Sequence, residues 1–172
     1  FRATDGMVTD IPDVYLVMYS SDCMPVFVYD PVRKAVGIAH AGREGVRKKI
    51  IPEIFSVMQK TYKCDPKDIR VFIGPSICGS CYPVSQDIAD GFTEYEKDCV
   101  MTPVEPDSEG REVLLDLHKV ALVQLAAVGV VSDHIEISGE CTYEQPDKFP
   151  SYRRDGKDGR DAVSYTHLRA HE

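Results

Sequence analysis

Short apolar runs and helically spaced apolar positions follow one another along the chain. Val14–Tyr19 (VYLVMY) is an unbroken apolar run and predicts a buried strand. Met24–Tyr29 and Ala35–Ala39 are two further runs, joined through Asp30-Pro31. Proline fixes φ and pushes its predecessor out of the helical region, so a strand–turn–strand unit is expected there. Val46, Ile50, Ile51, Ile54, Phe55, Met58 and Tyr62 fall on one face at helical spacing. Pro52, inside that pattern, marks either a kink or a late helix start. Asp68–Ile73 reads as the next strand, and Val84, Ile88, Phe92 and Tyr95 as a short amphipathic helix. Cys99–Arg111 is a polar loop. Asp116 can N-cap a helix through Leu117, Val120, Ala121, Leu125 and Ala126, with Gly129 as its stop. Val130–Ile137 leads into a last strand. Strands and helices mix without strict alternation, which predicts a single α+β domain.

The chemistry of the hairpin sits at its outer ends. Asp22-Cys23 precedes the first strand and His40-Ala41-Gly42 follows the second. In an antiparallel hairpin the start of one strand lies beside the end of the other, which brings the Cys23 sulfur close to the His40 imidazole. Such a pair can hold a soft or borderline metal, make an imidazole-activated thiolate, or be two neighbours at a strand end. Gly42 and Gly45 bracket Arg43-Glu44 at the helix start, either a plain turn or a place where backbone N–H groups meet an anion.

Acidic residues outnumber basic ones, 28 against 20, for a formal charge of −8. The longest basic run is Arg47-Lys48-Lys49, so nucleic acid is not an expected partner. No apolar stretch is long enough to span a membrane and no signal peptide is visible. Six cysteines without a small-domain spacing framework are expected to be reduced, in a cytoplasmic setting. The sequence sets no oligomeric state. Cys78 and Cys81 form one C-x-x-C in a loop dense in glycine, proline and serine, which alone is thin support for zinc or for redox chemistry. His118 reads as a surface or core histidine. The change of character towards Glu172, with His167 and His171 at i, i+4, predicts a non-native tail from Asp161, after a native domain of residues 1–160.

Asp5-Gly6-Met7-Val8-Thr9, Ser21-Asp22-Cys23-Met24-Pro25-Val26, Ala39-His40-Ala41-Gly42, Ile73-Gly74-Pro75-Ser76-Ile77 with Cys81-Tyr82, Leu115-Asp116-Leu117, Cys141-Thr142-Tyr143 and Ser151-Tyr152-Arg153-Arg154-Asp155-Gly156 occur in this order. Taken together the chain resembles the laccase-domain, polyphenol-oxidase-like family of purine nucleoside phosphorylases. The resemblance implies a layered α/β sandwich with mixed sheets, of the cytotoxic-necrotizing-factor-like type. It implies phosphorolysis of adenosine, inosine, guanosine and methylthioadenosine, with adenosine deamination, at a zinc held by His, Cys and His. Purine nucleosides and phosphate are then the partners. Cys23 and His40 correspond to two of the metal ligands. The third belongs to a segment upstream of Asp5, before the start of this chain, so the fragment is expected to hold metal weakly. Family names also point to copper as the alternative metal.

Two other departures matter. The family's His-Ala-Gly-Trp-Arg-Gly reads His40-Ala41-Gly42-Arg43-Glu44-Gly45 here, which moves the arginine to Arg43. After Arg160 the family's apolar closing strand is not evident. Asp22 is expected as a general base or as a partner behind the metal ligands. Arg43, Ser76, Arg153 and Arg154 are expected to bind substrate or phosphate, because arginine forks match phosphate geometry. The rival readings are a Cys23/His40 nucleophilic hydrolase, a copper-dependent polyphenol oxidase, and a fragment inert without its upstream part.

Overall fold

The computed structural model describes residues 4–98, 100–156 and 161–165. Its centre is a five-stranded mixed sheet. Strands β1 (Gly6–Thr9), β3 (Met24–Asp30), β4 (Ala35–Ala41), β5 (Arg70–Ile73) and β9 (Ile135–Ile137) lie in the order β1-β4-β3-β5-β9. All neighbours are antiparallel except β5 and β9, which run parallel with Val71 opposite Ile135. The hairpin expected from Asp30-Pro31 is present, with Pro25 opposite His40 and Asp30 opposite Ala35. Asp30 builds the turn: its Oδ1 accepts from the N–H groups of Val32 and Arg33 at 2.8 and 2.9 Å.

Strands β3 and β4 are buried almost throughout, because both faces of the sheet are covered. On one face lie helices α2 (Ile50–Tyr62) and α4 (Leu117–Val128), reached from the short α1 (Arg43–Arg47). Ile51, Met58 and Leu125 are among the fully buried side chains of this layer. Each such burial stabilises by about 1.5–3 kcal/mol. Helix α2 packs so closely that a Cβ on Gly37 would come within 3.0 Å of Ile54 Cδ1 and 2.8 Å of Val28 Cγ2. On the other face lies a ribbon of β2 (Leu16–Ser20) and β10 (Asp161–Tyr165), paired antiparallel. Leu16 and Met18 join Phe27, Val36 and Ile38 in a second core cluster there.

The third sheet is small, with β6 (Pro83–Val84), β7 (Met101–Pro103) and β8 (Val113–Leu115) in the order β6-β8-β7. The short helices α3 (Gln86–Ala89) and α5 (Tyr152–Asp155) complete the described α-helices, and 3-10 turns cover Gly79–Cys81, Asp90–Asp98 and Ser132–His134.

Two local readings are corrected, the burial of β2 and the loop after Cys99, and the alternatives at Pro52 are decided. At Pro52 the late helix start holds rather than the kink: α1 ends, Lys49 takes a left-handed φ of 64°, and α2 starts at Ile50. The proline then sits in the first turn, where its missing N–H has no helical partner. Strand β2 is not buried on both sides; Val17 and Tyr19 are 45% and 64% exposed, with the period of two of a half-covered strand. The polar loop after Cys99 contains β7. Residues Asp161–Tyr165 pair with β2 as β10. The His167/His171 pair lies outside the described residues. No helix among the described residues is long and apolar enough to cross a membrane.

Candidate active site

The open end of the β3–β4 hairpin brings Cys23 and His40 together as the strand pairing requires. Gly42 is the pivot. A Cβ placed on it would stand 2.8 Å from Cys23 Sγ and 3.6 Å from His40 Nε2, so both donor atoms point into the space the glycine leaves. The imidazole is oriented from behind. Asp5 accepts the His40 main-chain N–H at 2.7 Å, and its carboxylate lies 3.4 Å from Nδ1. A carboxylate on one ring nitrogen turns the other towards a ligand, an arrangement common to metal-bound histidines. Ser20 donates its hydroxyl to the Cys23 carbonyl and fixes the turn ahead of β3. The thiol, the imidazole and the cradle between them suit a zinc or copper ion.

The pair opens into a cavity of about 580 Å³ that Asp5, Tyr19, Asp22, Arg43, Tyr82 and Arg153 also line. Arg153 lies over the Tyr82 ring, 4.6 Å from its centroid, and donates from Nη1 to the Pro83 carbonyl at 2.6 Å. Burial raises the Tyr82 phenol above its ordinary pKa, against the pull of the Arg43 and Arg153 charges. Asp22 anchors the wall. Its Oδ1 accepts from the Thr142 hydroxyl at 2.7 Å, and its Oδ2 accepts from the Arg153 main-chain N–H at 2.8 Å.

Two expected residues are elsewhere. Arg154 spends its guanidinium on the carbonyls of Thr142, Tyr143 and Phe149 and on the Asp155 carboxylate. All five of its N–H groups are occupied, which leaves none for phosphate. Ser76 is fully buried, with its Oγ 2.8 Å from His118 Nε2. It therefore presents nothing to the cavity. His118 is a half-buried partner of Ser76, and its pKa is lowered by burial, slightly offset by Asp116. Asp5 and Tyr82 went unassigned in the sequence, although both stand within the motifs that carried the resemblance.

The family model described as multi-copper polyphenol oxidoreductase laccase matches residues 1–166. The chain belongs to this family. It is 38% identical over 165 residues to a Bacillus subtilis protein named purine nucleoside phosphorylase YlmD, covering 92% of this chain and 57% of that one. It is similar to the crystal structure of Bacillus licheniformis hypothetical protein YfiH, with TM-score 0.86 and 37% identity over 94% of this chain and 61% of that one. YlmD from Geobacillus stearothermophilus gives TM-score 0.83 and 32% identity over 96% of this chain and 61% of that one. The chain thus spans a little over half the length of these three relatives.

This laccase-family chain carries a second group of ligand-type atoms. Cys78, Cys81, Cys141 and Glu144 offer three sulfurs and a carboxylate oxygen, all within 4.8 Å of one another, and could hold a metal ion. The C-x-x-C was visible in the sequence; its partners come from a loop 63 residues on. Burial raises both thiols. At Cys78 hydrogen bonds from Ser80, Cys141 and Cys81 outweigh it and bring the pKa below the ordinary value, while at Cys81 the bonds to Cys78 and Glu144 add to the rise. Among the described histidines, His118 is engaged with Ser76, and His134 lines a separate cavity with Phe27 and Phe72. No multi-histidine copper centre forms among the described residues.

Proposed function

We propose that the chain carries the nucleoside and phosphate site of a zinc-dependent purine nucleoside phosphorylase with an accompanying adenosine deaminase activity. Adenosine, inosine, guanosine and methylthioadenosine are the substrates this reading assigns. The observation that carries it is one cavity shared by a Cys23–His40 donor pair and two arginines, Arg43 and Arg153. In phosphorolysis a phosphate oxygen forms a bond to the sugar C1′. The bond from C1′ to the purine nitrogen breaks, and the base leaves with its electron pair and takes a proton. Arg43 and Arg153 would hold the phosphate, since guanidinium forks match its oxygens. Tyr82 keeps the Arg153 guanidinium at the wall. Asp22, with both oxygens engaged, acts as a positioning residue. Cys23 and His40 would hold zinc, which supplies Lewis acidity. The cavity is large enough for a nucleoside.

The test is phosphate-dependent release of hypoxanthine from inosine, on this chain and on a form extended to the relatives' length. Zinc-dependent activity that Cys23→Ala removes together with the ion held by the Cys23–His40 pair supports the reading. Metal-free, phosphate-independent turnover would sink it.

A second reading rests on the Asp5–His40–Cys23 line, a carboxylate orienting an imidazole that faces a thiol. That order suits a nucleophilic hydrolase. Thiol alkylation would abolish such an activity and a chelator would not.

A further inference from the structure

We propose that Cys78, Cys81, Cys141 and Glu144 form a structural site for a zinc-type cation, separate from the Cys23–His40 pair, that fastens the loop leading into Tyr82 to the loop carrying Thr142. The site is assembled from two halves. Cys78 and Cys81 lie on one tight turn, closed by the Cys81 N–H on the Cys78 carbonyl at 3.1 Å. The other half arrives by the parallel bridge between Ser76 and Cys141, where the Thr142 N–H donates to the Ser76 carbonyl at 3.2 Å.

The side chains converge rather than merely adjoin. The Cys78 N–H donates to Cys141 Sγ at 3.3 Å, and Cys81 Sγ donates to Glu144 Oε1 at 3.2 Å. Zinc–sulfur bonds of about 2.3 Å in a tetrahedron set the sulfurs ~3.8 Å apart. Atoms already within 4.8 Å of one another need to close by only ~1 Å to reach that geometry. Three thiols exceed what one disulfide uses, and the fourth atom is a carboxylate, which a disulfide does not need.

The donor set selects the ion. Three sulfurs and one oxygen favour a borderline or soft d-block cation over magnesium or calcium. Four protein ligands fill a tetrahedron and leave no open position, which makes the site structural rather than catalytic. Its reach to the cavity is short. Cys81 precedes Tyr82, whose ring carries Arg153, and Cys141 precedes Thr142, which donates to Asp22.

The test uses the full chain with the other pair removed, as Cys23→Ser with His40→Ala, so that its outcome does not depend on the proposed catalysis. Cobalt(II) titration of this variant is expected to show one ion per chain, with thiolate-to-cobalt charge transfer and the visible bands of tetrahedral coordination. Adding Cys141→Ser should weaken cobalt binding beyond the ~10–100-fold that an outer partner costs. Thiol labelling of the unaltered chain, mapped by mass spectrometry, guards against misfolding of the variants. Addition of a chelator to zinc-loaded protein should speed the labelling of Cys78 and Cys81 several-fold. No cobalt uptake, labelling that ignores zinc and chelator, or a Cys78–Cys81 disulfide in place of bound metal would overturn the proposal.

Discussion

Asp22 holds Arg153 by its main chain, with Oδ2 accepting the Arg153 N–H at 2.8 Å, and leaves the guanidinium to Tyr82 and the cavity. The same carboxylate takes the Thr142 hydroxyl on its other oxygen. Asp22→Asn keeps the shape and can keep one of these bonds, but turns an NH2 towards one donor. Leaving a half-buried donor unsatisfied costs about 1–3 kcal/mol. The expected outcome is a lower urea midpoint together with weaker phosphate binding by calorimetry. Unchanged phosphate affinity in a folded variant would remove Asp22 from the site.

Arg153 and Arg154 are neighbours with opposite assignments. Arg153→Ala should lose phosphate affinity and, because it gives up one carbonyl bond at Pro83 and the stack on Tyr82, lower stability by less than Arg154→Ala does. Arg154→Ala strips acceptors at Thr142, Tyr143 and Phe149 of their partner and should lower stability by roughly 2 kcal/mol. Arg154→Lys should not restore it, because an ammonium lacks the planar fork. Thermal unfolding of the three variants side by side separates the roles.

Gly42 has φ −71° and ψ 171°, which any residue can adopt, so Gly42→Ala strains no backbone. Its methyl would nonetheless stand 2.8 Å from Cys23 Sγ. The variant is expected to fold, with zinc content by elemental analysis lowered by the ion assigned to the Cys23–His40 pair. Full retention of that ion would mean that the cradle is not its seat.

Burial holds the His118 imidazole below its ordinary 6.5. Between the folded value and 6.5 the unfolded chain binds a proton that the folded chain refuses, so stability falls as pH drops through that window. Urea midpoints measured from about pH 7.5 to 5 should decline, and His118→Gln should flatten the decline. An equal slope in the variant would assign it to other groups.

The hairpin and the Cys23–His40 meeting were legible because both follow from local rules: a proline turn, two apolar runs, and antiparallel geometry. The capped ends of α4 were legible for the same reason, since Asp116 accepts the Lys119 N–H and Gly129 takes φ 93°. What escaped depends on distant partners. Strand β6 has two residues, one of them proline, and has no pattern of its own until β8 pairs with it. Val17 and Tyr19 look like core until the layers show that only one side of β2 is covered. Ser76 and Arg154 had the right chemistry for phosphate, yet His118 and four main-chain or carboxylate partners claim them. Cys141 and Glu144 carry no local sign that they will join a C-x-x-C.

The parallel pairing of β5 and β9 has a kinetic consequence. The β3–β4 hairpin closes a loop of a few residues, whereas Val71 must find Ile135 across a segment that holds α3, the whole third sheet and α4. Contacts of long sequence separation bear the entropy of loop closure before they are rewarded, so they form late. Cys23 and His40 would therefore meet early in folding, while Thr142 and Arg153 reach Asp22 only after β9 has docked. Pulse-labelled hydrogen exchange should catch the chain in that order, with half of its cavity built and the other half still searching.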